Sequence, residues 1–387
     1  MHFDLVIVGG GLAGLSLAVA LRAAPLSIAV VEAGTAPAVP RPPDWDSRIY
    51  AFSPANAAFL QQMGVWQRLD HRRLAPVRQM EIHGDAGGRL DFSAYDSGVD
   101  ELAWIMESSL LASELWETVR RQGNVTLLCP AAPLALDIAA DQATLALADG
   151  RSLSAQLIVG ADGADSWTRT AAGIAVSFAP YGEMGTVANF ACAGPHHDCA
   201  RQWFRPDGIL AWLPLPGQRL SMVWSTPEAH AQELLALPPS ELCARVAAAG
   251  DHCLGDLSLL TPPAAFPLRL MRAPRCVGPR LALIGDAAHT IHPLSGHGIN
   301  LGLQDSRVLA ERLLQRPAHV DCGDERLLRG YERSRHEEVL VLQSTTHALQ
   351  RLFQPRQAAL SWLRNAGLNL TNALPVVRNA LVRYALG

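Results

Sequence analysis

Hydrophobic positions near the start of the chain show a strand pattern, then a helix pattern, then a second strand pattern. Phe3–Val8 is a short apolar run that predicts a buried strand, and Leu12–Ala23 has the spacing of an amphipathic helix. A glycine turn separates the two, and Ser27–Glu32 predicts a second buried strand. A strand, a glycine turn, a helix and a strand in this order are typical of the start of a doubly wound α/β fold.

Later segments repeat these patterns and then depart from them. Helices are predicted at Phe52–Gly64, Ser108–Gln122 and Gly302–Gln315, and strands at Leu145–Gly150, Ser152–Val159 and Leu281–Gly285. Residues 184–227 differ, because apolar runs joined by proline and glycine turns predict antiparallel strands there. We therefore predict a second, sheet-rich domain inserted between parts of the first, and a mostly helical end at Glu325–Leu386.

The composition excludes several kinds of chemistry. The chain has 387 residues, enough for two domains, and its 32 basic residues are all arginine. A chain without lysine has no Walker-A lysine for nucleotide hydrolysis and no lysine for Schiff-base catalysis. The formal net charge of −4 leaves no general basic surface, so we expect no nucleic-acid partner.

The cysteines and apolar runs bear on where the protein works. Seven scattered cysteines without a CxxC pair favour reduced thiols in a cytoplasmic protein. The N-terminus has no signal-peptide pattern, and no run of 18 or more apolar residues predicts a membrane span. We expect a cytoplasmic protein, and attachment to the surface of the inner membrane remains open.

A glycine motif lies between the first strand and the first helix. Gly9–Gly14 fits G-x-G-x-x-G, in which Gly9 permits a tight turn, Gly11 lets the backbone approach a pyrophosphate, and Gly14 lets the helix pack close to the strand. Glu32 ends the second strand, where its carboxylate can bond a ribose diol. These residues predict a dinucleotide and leave NAD and FAD as alternatives.

Two further turns join an acid to a glycine. Asp162-Gly163 follows a predicted strand, and Gly285-Asp286 follows another and continues through a loop into a helix that begins near Asn300. N–H groups at such a helix start suit an anion or an electron-rich carbonyl. Three histidines, His289, His292 and His297, lack partners at metal-binding spacing, so we expect no metal.

The three motifs in this order resemble the class A flavoprotein monooxygenases, aromatic hydroxylases with one FAD-binding fold. The resemblance covers most of the chain. Finer features are similar to the hydroxylases of ubiquinone biosynthesis, namely Ser47–Ser53, Met63–Trp66, Met106–Ser108, Pro206–Gly208 with Trp212–Pro216, and Leu363–Leu368.

The resemblance implies a role for each matching residue. The FAD pyrophosphate would be held by Gly9, Gly11, Leu12, Ala13 and Gly14, and the adenosine ribose by Glu32. Arg48 would approach the flavin side, and Ser108 stands where relatives often carry Arg, Gln or Asn against the flavin. Asp286 would bond the ribityl chain, and Gly298, Ile299 and Asn300 would offer backbone N–H groups to the flavin pyrimidine, with Gly296 as a further cofactor-binding residue. Asp162 and Gly163 would line the cofactor cleft and affect nicotinamide access.

The resemblance also implies a reaction. NADH or NADPH would reduce FAD directly, oxygen would add at flavin C4a, and the resulting hydroperoxide would hydroxylate an aromatic ring. The expected substrate is a polyprenylated phenol in ubiquinone biosynthesis. Pro293 would face the reacting ring with His292 as nearby polar support, and Trp212 and Leu213 would belong to the substrate wall.

The expected fold is an FAD-binding, Rossmann-like three-layer α/β fold with an inserted, mainly antiparallel sheet. The predicted limits are 1–75, 97–175 and 272–345 for the FAD-binding domain, 76–96 and 176–271 for the substrate domain, and 346–387 for a C-terminal helical segment. The helical segment is a candidate for docking on a membrane or a biosynthetic complex, and a homo-oligomer remains open.

Three other functions remain as alternatives at this stage. The first is an FAD-dependent reductase or dehydrogenase of the same fold. The second is a non-catalytic, FAD-stabilised subunit of a quinone-biosynthesis assembly, and the third is a plain NAD dehydrogenase.

Overall fold

The computed structural model describes residues 1–38, 44–291, 298–353, 358–374, 378, 379 and 382. The strands in these ranges are β1 His2–Val8, β2 Ile28–Val31, β3 Ile49–Phe52, β4 Ala75–Val77, β5 Gln79–His83, β6 Arg89–Ser93, β7 Ala103–Glu107, β8 Val125–Leu128, β9 Pro133–Ile138, β10 Ala143–Leu147, β11 Ser152–Gly160, β12 Ser177–Cys192, β13 Cys199–Arg205, β14 Gly208–Leu215, β15 Arg219–Pro227, β16 Leu257–Leu259, β17 Ala264–Arg272, β18 Val277–Gly278, β19 Leu281–Leu283 and β20 His289–Thr290. The helices are α1 Leu12–Ala20, α2 Pro54–Gln62, α3 Ala94–Ser97, α4 Ser108–Arg120, α5 Trp167–Ala171, α6 Glu228–Ala236, α7 Pro239–Ala249, α8 Gly298–Gln315, α9 Glu325–Phe353 and α10 Ala358–Ala373.

The first sheet is a parallel sheet between two layers. Its central order is β19-β11-β1-β2-β8, with β18 pairing antiparallel to β19 and the β9–β10 pair attached to β11. Successive residues of a strand point to opposite faces. Leu5 and Ile7 therefore pack with α1, α4 and α8, while Val6 and Val8 pack with β9 and β10. This arrangement confirms the predicted three-layer α/β fold.

The second sheet has two different faces. Its order is β20-β17-β12-β15-β14-β13-β5-β6, and neighbours are antiparallel except β13 and β5. One face, with Phe190, Trp212 and Trp224, is covered by α6 and α7. The other face, with Leu213 and Leu215, packs on a small sheet of β3, β7 and β4. The predicted inserted antiparallel sheet is thus present.

Local predictions differ from the structure where pairing is long-range. The helix predicted from Phe52 is preceded by β3, which pairs antiparallel with β7, and α2 starts only at Pro54 after the cap residue Ser53. β20, from the segment assigned to the first domain, pairs with β17 of the second sheet. The pattern around Ile49–Phe52 could not reveal a strand whose partner lies more than fifty residues away. The domain limits given from the sequence remain a prediction.

A buried carboxylate joins the last strands to the helices behind them. Asp305 of α8 accepts hydrogen bonds from the Gly285 N–H at 2.9 Å, His289 Nε2 at 2.7 Å and Arg335 Nε at 2.7 Å. Burial alone would raise the pKa of Asp305, but His289 and Arg335 together hold it below its ordinary value. The group is therefore ionised, and it links the turn after β19, α8 and α9.

Two global properties complete the fold. No helix within the described ranges is long and apolar enough to cross a membrane. All seven cysteines are free thiols, and burial raises the pKa of Cys199 and Cys322 to about 11.

We expect Asp305→Asn to lower the free energy of unfolding by about 3–5 kcal/mol, because it removes the buried ionised partner of Arg335 and His289 and leaves Arg335 only the half-exposed carboxylate of Glu338. Urea unfolding at neutral pH measures this loss. Since the folded-state pKa of Asp305 is depressed, its contribution is present at neutral pH and is lost as the pH falls below the ordinary value of 3.8. The difference between the wild type and the variant should therefore narrow in acid.

Asp165→Asn is the matched control, because Asp165 also pairs with an arginine but its side chain is 85% exposed. We expect this variant to lose at most about 1 kcal/mol. Equal losses in the two variants would contradict the role assigned to Asp305.

Candidate active site

The sequence motifs meet at one edge of the first sheet. Four motif residues lie just beyond the carboxyl ends of strands: Gly9 after β1, Glu32 after β2, Ala161 after β11 and Gly285 after β19. These four strands run parallel to one another. In open α/β sheets, ligands bind at the carboxyl ends of such strands. The chain therefore brings its three motifs to the edge where a cofactor is expected.

The glycine turn is shaped by close packing at two positions and by open space at a third. A Cβ on Gly9, whose φ is +112°, would lie 2.3 Å from the Ala161 carbonyl oxygen, and one on Gly14 would lie 2.1 Å from the Gly9 carbonyl oxygen. A Cβ on Gly11 would meet nothing within 4 Å. Gly11 thus borders an opening in front of the N-terminus of α1, which fits a pyrophosphate.

Glu32 is fixed beside this turn. Its Oε2 accepts a hydrogen bond from the Gly10 N–H at 2.7 Å, and its Oε1 accepts one from the Gly34 N–H at 2.6 Å. A carboxylate oxygen can accept more than one hydrogen bond. The side chain is therefore oriented by backbone groups and retains acceptor capacity for a ribose hydroxyl.

The Gly285-Asp286 turn packs directly against the start of α1. A Cβ on Gly285 would lie 3.2 Å from the Ala13 Cβ, and one on Gly302 would lie 3.3 Å from the Gly285 Cα. The Asp286 side chain is reached by solvent, yet enough protein surrounds it that desolvation raises its pKa. His289 opposes this rise and Asp305 adds to it.

Helix α8 spans Gly298–Gln315, so it begins close to the start predicted near Asn300 and before the span predicted from Gly302. N–H groups in the first turn of a helix have no acceptor within the helix. The Asn300 side chain has a positioning role, because its Oδ1 accepts from the Ser53 N–H and from Asn56 Nδ2, each at 2.9 Å. Its Nδ2 donates to the Ala51 carbonyl at 2.8 Å, which ties α8 to β3 and α2.

Tyr50, to which we assigned no role from the sequence, lies among three predicted site residues. Desolvation raises the pKa of Tyr50, Asp286 raises it further, and Arg48 and a hydrogen bond with Ser108 lower it. Arg48, Ser108 and Asp286 are therefore neighbours of one phenol side chain. The signal for Tyr50 was its position inside the Ser47–Ser53 motif.

The loop that carries Arg48 is held by a buried ion pair. Glu107 pairs with Arg73 at 2.5 Å and accepts the Asp46 N–H at 2.6 Å, while Arg73 also donates to the Asp44 carbonyl at 2.9 Å. From the second sheet, Asn189 Nδ2 donates to the Asp46 carbonyl at 2.8 Å. Sequence reasoning missed these residues because their contacts span long separations.

The Asp162-Gly163 turn lies against the Gly9–Gly14 turn and the Gly285-Asp286 turn. The Asp162 Oδ2 accepts from the N–H and hydroxyl of Thr168 at 2.8 and 2.9 Å, so it organises the start of α5. Arg169 of α5 donates to the Ala287 carbonyl at 3.0 Å, next to Asp286. Gly163 has a φ of +81°, which favours glycine. Both predicted residues thus lie just after β11, at the same edge of the first sheet as the other two motifs.

The two predicted substrate residues lie on opposite faces of β14, as neighbours in a strand must. Trp212 is 2% exposed and packs on Gly250 at the end of α7, so it is a core residue and we withdraw it from the substrate wall. Leu213 is half-buried on the face toward the first domain, near Trp45 and Ile49. Leu213 therefore stays a candidate.

Some predicted residues cannot be placed, and one class of site is not seen. His292, Pro293, Gly296 and His297 lie outside the described residues. Among the residues that are described, no group of three or more His, Cys, Asp or Glu could hold a metal ion.

Comparisons with known proteins agree with this geometry. A family model described as an FAD binding domain matches residues 2–343. Ubiquinone hydroxylase UbiL of Rhodospirillum rubrum is 35% identical over 99% of this chain and 89% of its own. The chain belongs to the FAD-dependent hydroxylases of ubiquinone biosynthesis. The resemblance drawn from the motifs is confirmed, and with it the FAD-binding fold.

Other members of this family and its structural neighbours extend the match. The 3-demethoxyubiquinol 3-hydroxylase of Escherichia coli is 33% identical over 99% of this chain and 98% of its own. The crystal structure of PqsL, a probable FAD-dependent monooxygenase from Pseudomonas aeruginosa, has a TM-score of 0.78 at 25% identity, covering 95% of this chain and 99% of that one. The p-nitrophenol 4-monooxygenase PnpA of Pseudomonas putida, 20% identical, has a TM-score of 0.79 over 99% of this chain and 98% of its own, which shows the shared fold.

We expect Gly11→Ala and Gly14→Ala to separate cofactor binding from stability. Gly11 has ordinary extended angles and open space around a new Cβ, so the FAD-free protein should keep its unfolding temperature while FAD binds about tenfold more weakly or worse. Gly14→Ala should destabilise the FAD-free protein by about 1–3 kcal/mol, because its Cβ would collide with backbone.

Fluorescence titration of the FAD-free proteins and thermal unfolding measure the two effects. If Gly11→Ala bound FAD as tightly as the wild type, the pyrophosphate would not approach the chain at Gly11.

Proposed function

We propose that the protein hydroxylates the ring of a polyprenylated phenol in ubiquinone biosynthesis, using FAD, oxygen and either NADH or NADPH. The observation that carries the proposal is the meeting of the glycine turn, the Gly285-Asp286 turn and the start of α8 around open space at Gly11 and Gly298. The relatives that match the whole chain are named for quinone hydroxylation, which supports the same reaction.

The residues around this space divide into those that hold the cofactor and those that orient it. Gly9–Gly14 and Glu32 hold the dinucleotide end, with Leu12 and Ala13 supplying the first turn of α1. Asp286 would bond the ribityl chain, and the backbone of 298–300 would offer N–H groups to the flavin pyrimidine. Arg48, Ser108 and Tyr50 approach the ring system from β3 and α4.

Bound FAD supplies the hydride acceptance and oxygen activation that side chains cannot provide. The chain contributes orientation and exclusion of water. Leu213 would border the substrate from the second sheet, and the family resemblance implies that Pro293, with His292 as polar support, would face the ring. Asp162 and Gly163 lie where a nicotinamide would approach, with no separate Rossmann unit required.

The environment of the substrate suits an apolar tail on a polar ring. Leu213 belongs to a face that also carries half-buried Ala211 and Val223, whereas polar groups gather near Asp286 and Arg48. We place the protein in the cytoplasm, where it meets a lipid-borne substrate at the surface of the inner membrane.

The decisive experiment supplies purified holoprotein with NADH or NADPH, isotopically labelled oxygen and a phenol carrying a short prenyl chain. We expect nicotinamide oxidation that depends on the phenol, and a ring-hydroxylated product that contains one labelled oxygen by mass spectrometry. Asp286→Ala should lose most of this activity, while the surface variant Asp165→Asn should retain it.

The alternatives give other results. Reduced product without oxygen incorporation would indicate an FAD-dependent reductase or dehydrogenase. Full complementation of a deletion strain by Asp286→Ala would indicate a non-catalytic subunit of a quinone-biosynthesis assembly. A purified protein that never contains FAD would indicate an NAD dehydrogenase.

A further inference from the structure

Helix α10 attaches to the second sheet through polar side chains. The Asn365 Oδ1 accepts the Gly88 N–H at 2.8 Å, and the side chains of Asn369 and Asn372 accept the N–H groups of Arg89 and Asp91 at 2.8 and 3.0 Å. The last two N–H groups belong to β6, the edge strand of this sheet. The asparagines therefore take the place of a neighbouring strand along that edge.

A buried ion pair strengthens the same attachment. Arg364 pairs with Asp85 of the β5–β6 turn, and Asn365 Nδ2 donates to the same carboxylate at 2.7 Å. These contacts hold the pKa of Asp85 down to about 2. A Cβ on Gly84 or Gly88 would collide with Asn365 at 2.1 or 2.4 Å, so the turn is shaped to receive this helix. The orientation of α10 is thus specifically defined.

With its polar side turned inward, α10 presents its apolar side to solvent. Trp362 is 71% exposed and Leu370 is 63% exposed, with Leu363 and Leu374 beside them. The end of α9 adds exposed Leu349 and Leu352. A surface helix of a globular protein ordinarily has the opposite arrangement. An exposed apolar patch of this kind marks an interaction surface.

The charge of this part of the chain selects the partner. Residues 339–387 contain five arginines and no aspartate or glutamate, although the whole chain has a net charge of −4. Arg364 and Arg378 are paired with Asp85 and Asp96 of the second-sheet region, so the positive charge offered to a partner comes from the other arginines. Arg351, at the end of α9 beside Leu352, is exposed. An apolar face with a tryptophan, flanked by arginine and free of acids, matches the boundary of an anionic lipid layer.

The patch suits a lipid surface better than a second copy of the chain. Among the described residues the patch has six large apolar side chains, far fewer than the roughly 20–30 residues that each side of a stable dimer uses. Among the described outward side chains of α10, Trp362 has an indole N–H and the exposed Asn369 already accepts the Arg89 N–H of β6, whereas a protein interface carries several hydrogen-bonding groups of its own. A bilayer requires none.

We infer that the outward face of α10, with the end of α9, docks the protein on the surface of an anionic lipid bilayer. The inference deepens the proposed function, because it names the surface through which the protein would reach a substrate held in the lipid layer. It rests on the proposed function only in assuming that the substrate is lipid-borne. α9 also contacts the substrate sheet, since Phe353 stacks on Phe204 with 3.7 Å between ring centroids. The docked face is therefore joined to the sheet that borders the substrate.

The test is flotation of the full-length holoprotein with vesicles, without phenol or nicotinamide. We expect binding to vesicles of phosphatidylcholine with phosphatidylglycerol, and weaker binding to phosphatidylcholine alone or at high salt. The double variant Trp362→Ser/Leu370→Ser should bind at least about tenfold more weakly, with unchanged FAD content and unfolding temperature. Arg351→Gln should lessen the preference for phosphatidylglycerol.

The matched control is Leu134→Ser/Leu314→Ser, which removes exposed apolar side chains from the first domain and should bind vesicles like the wild type. Unchanged binding by the Trp362/Leu370 variant, or equal binding to neutral and anionic vesicles, would overturn the inference. So would a concentration-dependent dimer that only this variant abolishes, which would assign the face to a second copy.

Hydroxylation of a short-chain phenol in vesicle-free buffer is measured separately. A protein that binds vesicles but gives no hydroxylated product would overturn the proposed function and leave the docking surface intact. A protein that hydroxylates the phenol but does not bind anionic vesicles would overturn the docking surface and leave the proposed function intact.

Discussion

The carboxylate of Asp305 is the point on which the cofactor edge of the first sheet depends. It accepts hydrogen bonds from the Gly285 N–H, His289 and Arg335, which belong to the turn after β19, to β20 and to α9. In a low-dielectric interior such bonds are strong, and each partner left alone would be costly. The Gly285-Asp286 turn is therefore held from behind, which leaves Asp286 facing the cleft.

Backbone contacts complete what Asp305 begins. The turn after β1, the turn after β11 and the turn after β19 touch one another through atoms that a side chain at Gly9, Gly14 or Gly285 would disturb. Gly11 differs from these three because no atom of the described residues lies within 4 Å of the position that its Cβ would take. A site made from three turns in mutual contact is preorganised, so little of the binding free energy of a ligand is lost in ordering the chain.

The two faces and the free edge of the second sheet are each covered by a different part of the chain. One face is covered by α6 and α7, the other packs on the small sheet that carries Tyr50, and the β6 edge is satisfied by asparagines of α10. Because α10 uses its polar side for this purpose, its apolar side has no place in the core. The need to satisfy an exposed strand edge and the presence of an outward apolar face are therefore two results of one packing arrangement.

Much of the architecture could be predicted because it depends on neighbours in sequence. The first strand, the glycine turn and α1 were predictable from a buried apolar run followed by glycines and a helical period. Likewise, residues with alternating apolar positions predicted the strands of the second sheet. The strand β3, the Arg73–Glu107 pair and the contact of Asn189 with Asp46 were not predictable, because each joins segments far apart in the chain.

The face of a strand or helix on which a residue lies also depends partly on local sequence and partly on distant contacts. The sequence analysis assigned both Trp212 and Leu213 to the substrate wall, although neighbours in a strand point to opposite sides, and which of them meets the first domain depended on where α6 and α7 pack. The sequence alone determined the type of fold, the cofactor motifs and the family, since glycines and acids at strand ends impose their chemistry locally. Only the tertiary structure decided which side chains surround Asp286 and which face of α10 meets solvent, because burial and electrostatic contacts arise between elements and not within them.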